Sequence, residues 1–223
     1  MAREVVPQVF EVLFPRAIVN AYLVLADVPT IIDTGTPGGA AKMLRAVEAA
    51  GLAPQDVKRI LLTHRHADHA GNAGELARAT GAEVHVAPID APFVIEGLEQ
   101  PRPDPTTPLG RVLVPYVKVA LPWRLDPVPA QSSLEDGASV GPFRVVATPG
   151  HTAGHVSLLW EDRGICFTGD AAANITRVGP HPANDDPARA RVAFATLAAQ
   201  SFEVACFGHG RTLKSGAAER LRR

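Results

Sequence analysis

The segment Thr63-His64-Arg65-His66-Ala67-Asp68-His69 sets the hardest condition this chain must meet when it folds. Four of its side chains are of metal-ligand type, and three more, His151, Asp170 and His209, each follow an apolar run further along. Imidazole and carboxylate together suit Zn²⁺, Fe²⁺ or Mn²⁺, and a lone tetrahedral zinc takes at most about four protein ligands, or three when it keeps a water. Seven candidates are too many for one ion. Two ions about 3.5–4 Å apart, bridged by a carboxylate and an oxygen nucleophile, would employ all seven. The fold must therefore carry loops from distant parts of the chain to one place.

Short β-branched runs provide the means. Thr30-Ile31-Ile32 ends at Asp33-Thr34-Gly35, Arg59-Ile60-Leu61-Leu62 ends at the His64 loop, and Phe143-Arg144-Val145-Val146 ends at Thr148-Pro149-Gly150-His151. Gly164-Ile165-Cys166-Phe167 leads to Thr168-Gly169-Asp170, and Val204-Ala205-Cys206-Phe207 leads to Gly208-His209-Gly210. Each reads as a buried strand whose C-terminal end delivers a loop, so the candidates meet along one rim of a sheet assembly. Gly150, Gly169, Gly208 and Gly210 beside them permit positive φ and close backbone approach. Residues 144–148 and 156–160 are spaced as antiparallel neighbours.

Helical patterns lie between the strands. Residues 40–50 place Met43, Leu44 and Val47 on one face and stop at Gly51; residues 70–80 point Leu76 and Ala77 inward and stop at Gly81. Asp186-Pro187 reads as N-cap and first-turn proline of a helix reaching about Gln200, and a short helix over 215–222 closes the chain.

At 223 residues and 46% hydrophobic, the chain has the material for one layered α/β domain spanning 1–223. Its 22 basic and 23 acidic residues give a net charge of -1, which offers no footprint for nucleic acid and no polybasic membrane anchor. Met1-Ala2-Arg3-Glu4-Val5-Val6-Pro7 carries an acid and a proline where a signal peptide needs an apolar core, so a cytoplasmic location is expected. Cys166 and Cys206, each inside an apolar run, read as buried free thiols.

Residues 88–133 break the pattern. They hold half of the chain's 20 prolines, Pro101, Pro103, Pro105 and Pro108 among them, around apolar segments at 93–98 and 109–121. This reads as a partly helical insertion, either a lid or cap or a dimer arm that would make the protein a homo-oligomer. Tyr116, Trp123 and Arg124 are amphipathic enough for a pocket mouth, but aromatics in apolar segments usually pack in a core, and that is the expectation for Tyr116 and Trp123.

With these motifs the chain resembles the metallo-β-lactamase-fold hydrolases, and within them the glyoxalase II-like branch. The match rests on Ile32-Asp33-Thr34-Gly35, Thr63 to Gly71, Thr148 to His155, Phe167-Thr168-Gly169-Asp170 and Phe207-Gly208-His209-Gly210, in the family's order and over nearly the whole chain. The resemblance implies a four-layer αββα sandwich with two metal ions at the edge between its sheets. His64, His66 and His151 would hold one ion, Asp68, His69 and His209 the other, and Asp170 would bridge them. Zn²⁺ is the first expectation, with Fe²⁺ or Mn²⁺ as alternatives. Asp33 would stand behind the ligands and fix their loop, and Asp68 would carry a proton beside a hydroxide nucleophile.

The implied substrate is a small-molecule thioester, lactone or related ester. Glyoxalase II enzymes bind glutathione with an extra C-terminal helical domain, whereas fourteen residues follow His209 here, so glutathione specificity is not expected. Lactonases that open acyl-homoserine lactones share the full ligand set. Two other classes stand beside the hydrolase. A persulfide dioxygenase-like oxygenase would hold one iron through His64, His151 and Asp170, and a non-catalytic member would bind a ligand through the inserted segment. Among the remaining polar residues, His155 is expected to support the His151 loop and His85 to be an ordinary strand residue. His181, Asn174 and Arg177 are weak substrate-binding candidates, His181 reading as a solvated loop residue.

Overall fold

A computed structural model describes residues 2–15, 18–102 and 104–223, so Met1, Arg16, Ala17 and Pro103 lie outside the described residues. Two sheets carry the molecule. The first joins β1 (Arg3–Val6), β2 (Val9–Phe14), β3 (Val19–Leu25), β4 (Pro29–Ile32), β5 (Arg59–Leu61), β6 (Glu83–Val86) and, past the two-residue β7 (Asp104–Pro105), β8 (Gln131–Ser132), with order β1-β2-β3-β4-β5-β6-β8. The second contains β9 (Ser139–Val140), β10 (Phe143–Ala147), β11 (Val156–Trp160), β12 (Ile165–Gly169) and, after the short β13 (Ala173–Asn174), β14 (Val178–Gly179) and β15 (Ala183–Asn184), β16 (Val204–Phe207). Its order is β16-β12-β11-β10-β9.

Helices cover both outer faces. On the first sheet lie α1 (Ala40–Ala49) and α3 (Ala73–Thr80), preceded by the single turn α2 (Ala67–Ala70) and followed by α4 (Ala91–Ile95). After α5 (Pro108–Ala120), α6 (Pro187–Ala198) and α7 (Ala217–Arg222) pack on the second sheet. The strands alternate accordingly. In β3, Ala21 and Leu23 face the helices while Tyr22 and Val24 face the other sheet. In β12, Phe167 joins the inter-sheet core and Cys166 the helical side. Strands buried on both faces explain the near-continuous apolar runs. The result is the αββα sandwich expected from sequence.

The rim is built by strand direction. β4, β5 and β6 run parallel, and β10, β12 and β16 share one direction in the second sheet, so their C-terminal ends open at the same edge of the sandwich. Strands β1 to β3 add an antiparallel meander that the ligand-loop pattern does not anticipate.

One helix differs from expectation. The pattern predicts residues 70–80 as continuous, whereas the chain makes the turn α2 around Asp68 and His69, breaks at Gly71-Asn72, and restarts as α3. Asn72 is the reason. Its buried amide donates to the carbonyls of Thr34, Gly35 and Thr36 at 2.7, 3.0 and 2.8 Å and its oxygen accepts from Gly39 N at 2.9 Å, tying the ligand turn to the loop after β4. The cap of α6 agrees with the sequence, since the Asp186 carboxylate accepts from Ala188 N and Arg189 N at 2.9 and 3.0 Å.

The segment 88–133 serves more than one purpose. Ala91 and Val94 of α4 enter the core under the first sheet, β8 extends that sheet, and β7 pairs with β15 beyond Asp170. Both cysteines are buried and free. Among the described residues no helix is long and apolar enough to cross a membrane.

Candidate metal centre

Asp33 ends β4 in a left-handed conformation at φ 57°, a region aspartate tolerates better than most side chains. The turn aims its carboxylate at the next strand end. Asp33 Oδ1 accepts from Thr63 N at 2.8 Å, and Oδ2 accepts from Thr63 Oγ1 and His69 Nδ1, each at 2.8 Å. One carboxylate thus holds both ends of the His64–His69 loop. With its proton committed to Asp33, Thr63 Oγ1 accepts from His64 Nδ1 at 3.0 Å, leaving His64 Nε2 as a lone pair. The other rings are held alike: His151 Nδ1 donates to Ala183 O at 2.8 Å and His209 Nδ1 to Ile18 O at 3.1 Å.

All seven sequence candidates converge. His64, His66 and His151 form one group of facing donor atoms, Asp68, His69 and His209 a second, and Asp170 belongs to groups with His64 and His69 and with His151 and His181. Asp170 Oδ2 lies 3.3 Å from both His151 Nε2 and His209 Nε2, Asp170 Oδ1 lies 3.5 Å from His69 Nε2, and His209 Nε2 lies 3.4 Å from Asp68 Oδ2. Two ligands about 2.1 Å from a shared tetrahedral ion are separated by about 3.4 Å, so these spacings fit coordination. Buried atoms left without hydrogen-bond partners point the same way. They include His64 Nε2, His69 Nε2 and Asp170 Oδ1, a pattern costly in a folded protein unless a cation takes up the lone pairs. Gly208 keeps the space open, because a Cβ there would collide with the Asp170 carboxylate and stand 2.7 Å from His69 Cε1. Its φ is not positive, so close approach alone requires glycine here, whereas Gly150, Gly169 and Gly210 do adopt positive φ.

The two groups differ electrostatically. Burial, reinforced by neighbouring rings, pushes His64 and His151 well below the ordinary histidine range, and burial takes His66 down to about 3. These rings are neutral and ready to donate. For His209 burial acts downward too, but the carboxylates of Asp170 and Asp68 outweigh it and raise the ring to about 10; Asp170, Asp33 and Asp68 likewise raise His69. Burial would raise Asp68, yet His69 and His209 hold it down at about 2. A cation entering beside His69 and His209 would replace their protons.

The family follows at this point. A model of the metallo-beta-lactamase superfamily matches residues 15–209. The chain belongs to the metallo-beta-lactamase superfamily. Members of this superfamily are generally metal-dependent hydrolases and bind metal ions, typically two. Uncharacterized protein YobT of Bacillus subtilis (strain 168) is 34% identical over 165 residues, 73% of this chain and 64% of YobT. Hydroxyacylglutathione hydrolase GloC of Haemophilus influenzae is 31% identical over 140 residues, 63% of this chain and 59% of GloC. The chain therefore spans less than two thirds of the length of these curated relatives. Among solved structures, TTHA1623 in a di-iron-bound form superposes with a TM-score of 0.66 at 28% identity, covering 91% of this chain and 93% of that one.

Behind the donors, this superfamily member carries a support that the sequence reading missed. Arg65, between His64 and His66, is 2% exposed, and its guanidinium meets Asp90 Oδ1 at 2.8 Å and Asp185 Oδ2 at 2.5 Å and stacks on Phe93. Asp90 is fully buried and also accepts from Arg65 N, Thr152 Oγ1 and Gly154 N at 3.1, 2.7 and 3.2 Å. It thereby joins the His64 loop to the His151 loop, while Gln100 Nε2 donates to Arg65 O at 2.8 Å. The only local sign was a charge wedged between ligands, and nothing near it in sequence names its partners.

His155 reaches further than the His151 loop. Asp170 N donates to its Nε2 at 2.8 Å, so its Nδ1 carries the proton toward Thr148 Oγ1 at 2.8 Å, and burial keeps the ring neutral down to about 3. His85 lies on β6, bonded to Ser133 Oγ at 2.8 Å and outside the donor groups.

A cavity of about 440 Å³ opens over the donors, with Asp68, Asp170 and four histidines at its polar end. Leu113, Tyr116, Leu121 and Trp123 line the rest. Tyr116 is 60% exposed and Trp123 stands 6.5 Å from His66, so both face this cavity and the expectation that they pack in a core is corrected. Tyr116 lies in α5 and Trp123 just beyond its end, and the apolar surface they meet is the cavity. Arg124 is outside it, near Glu99 at 3.9 Å. Asn174 donates to Arg211 O at 2.7 Å and Arg177 lines a separate depression, so neither reaches the cavity over the donors. His181 does reach it and is 9% exposed, which overturns the solvated-loop reading.

Asp33→Ala is expected to free His69 and the Thr63 amide together and to weaken metal binding by about 10–100-fold, as for other residues that orient ligands. Competition with a chromophoric chelator measures it; an unchanged affinity would remove Asp33 from this role.

Proposed function

We propose that this superfamily member is a two-metal hydrolase of a thioester, lactone or related ester whose acyl part is apolar. The observation that carries the reading is the meeting of seven buried donor side chains, five of which (His66, Asp68, His151, Asp170 and His209) line an otherwise apolar cavity. In this reading, His64, His66 and His151 would hold one ion and Asp68, His69 and His209 the other, with Asp170 a ligand to both. Residues 1–223 act as one unit, because the donors come from strand ends of both sheets. The donor set suits Zn²⁺, with Fe²⁺ or Mn²⁺ as alternatives.

When bound, a pair of such ions supplies an activated hydroxide at neutral pH and polarises the scissile carbonyl. The chain's own residues do the rest. Leu113, Leu121 and Trp123 bury the acyl group and exclude water from the reacting centre. Asp68, a carboxylate on the cavity wall, takes the proton of the attacking oxygen and delivers it to the departing thiolate or alkoxide. None of the described residues lining the cavity is a lysine or arginine, which disfavours the carboxylates of glutathione and favours an uncharged acyl chain. A single iron on His64, His151 and Asp170 would leave Asp68, His69 and His209 converging on nothing, and a non-catalytic role would leave all seven so.

The test couples metal analysis to a substrate series. Two ions per chain are expected, with kcat/KM rising about fourfold per added acyl methylene, from about 0.8 kcal/mol each, until the cavity is filled. One iron per chain with oxygen uptake and no ester cleavage would overturn the proposal.

A further inference from the structure

We propose that His181 is an eighth metal donor of the centre, acting with His151 and Asp170. The inference rests on the metal-centre reading and adds a residue that reading does not use. His181 Nε2 lies 3.3 Å from Asp170 Oδ2, the same separation that His151 and His209 show from that oxygen. Its donor atom lies within 4.8 Å of those of His151 and Asp170.

Orientation is the second argument. The carbonyl of Ala183 accepts from His151 Nδ1 at 2.8 Å and from His181 Nδ1 at 2.9 Å. One backbone oxygen therefore fixes two rings with their Nε2 atoms turned toward Asp170, the arrangement by which a carbonyl behind a ligand imidazole sets its tautomer. The loop that presents His181 is itself anchored. Asn184 Nδ2 donates to His181 O at 2.9 Å, Thr106 Oγ1 to the same oxygen at 3.3 Å, and Thr106 N to Pro182 O at 2.9 Å. A solvated loop histidine needs none of this.

The rival arrangement is a plain hydrogen bond. In it Nδ1 accepts from Ala183 N at 3.3 Å, and a protonated Nε2 donates to Asp170. As a donor, His181 would be a fifth protein ligand, after His64, His66, His151 and Asp170, and with an oxygen nucleophile would bring that ion to six-coordination. Divalent cations that accept five or six nitrogen and oxygen ligands are then the favoured occupants.

Two measurements separate these. Cobalt-loaded holoprotein is expected to show the weak visible bands of six-coordination rather than the stronger ones of five, and His181→Ala to intensify them and lower affinity for that ion by about tenfold or more. In zinc-loaded wild-type protein with ¹⁵N-labelled histidine, His181 Nε2 is expected to carry no proton and to shift as a metal-bound nitrogen, like the Nε2 atoms of His64 and His69; this needs no variant to fold. A His181 Nε2 that keeps its proton in the zinc form, or a variant whose cobalt spectrum and affinity match wild type, overturns the inference while the two-ion reading stands. Wild-type protein that takes up neither metal overturns both.

Discussion

Asp170→Ala is expected to lower turnover to about one thousandth of wild type or less, on the scale of losing a principal charge-stabilising group, and to reduce the metal content of the purified protein. The size follows from where the carboxylate stands. Its two oxygens face His69 on one side and His151 and His209 on the other, so among the described residues no other carboxylate touches both groups of donors in the same way. Alanine would take from His151, His69 and His209 the carboxylate they share, leaving His69 with Asp33 and His209 with Asp68. Asp170→Asn keeps the shape and one acceptor oxygen but not the charge, and should recover part of the metal and little of the rate. His85→Ala is the control, since that ring bonds Ser133 and lies apart from the donors; metal and rate should stay near wild type. Full metal content and full rate in Asp170→Ala would remove Asp170 from the centre.

Asp90→Ala should be the most destabilising single change outside the donors. It removes the fully buried one of two carboxylates from a guanidinium that is 2% exposed and leaves the amides of Arg65 and Gly154 and the Thr152 hydroxyl without their acceptor. Breaking one side of a buried ion pair costs about 3–5 kcal/mol. For a chain of this size, about 2–4 °C of Tm accompanies each kcal/mol, so thermal unfolding should move down by about 6–20 °C. Asp185 still meets Arg65 and keeps the loss from being larger. Since Asp90 also joins the two loops that bear His64, His66 and His151, metal affinity should fall together with Tm. A Tm within about 2 °C of wild type would show that Arg65 does not depend on Asp90.

Much of the scaffold was legible because its signals are local. A strand such as Val204–Phe207, followed at once by Gly208-His209, declares both its burial and what it delivers within a few residues. The cap at Asp186 and Pro187 is equally self-contained, as its carboxylate bonds the amides two and three residues on. The break at Asn72 was not legible, since what holds it is a set of carbonyls from the loop after β4. Tyr116 and Trp123 were misread for a related cause. Their apolar neighbours looked the same whether the surface beyond was a core or the wall of a cavity.

By itself the sequence determined the donor set, the strand ends that carry it and the layered fold, because side chains able to ligate metals are rare beside apolar runs and their spacing survives without coordinates. Only the tertiary structure decided what stands around them: that Arg65 meets carboxylates from two remote loops, that one carbonyl orients both His151 and His181, and that the cavity above is apolar. Such contacts join residues far apart along the chain. A buried charge announces that it needs a partner, but only folding selects which one.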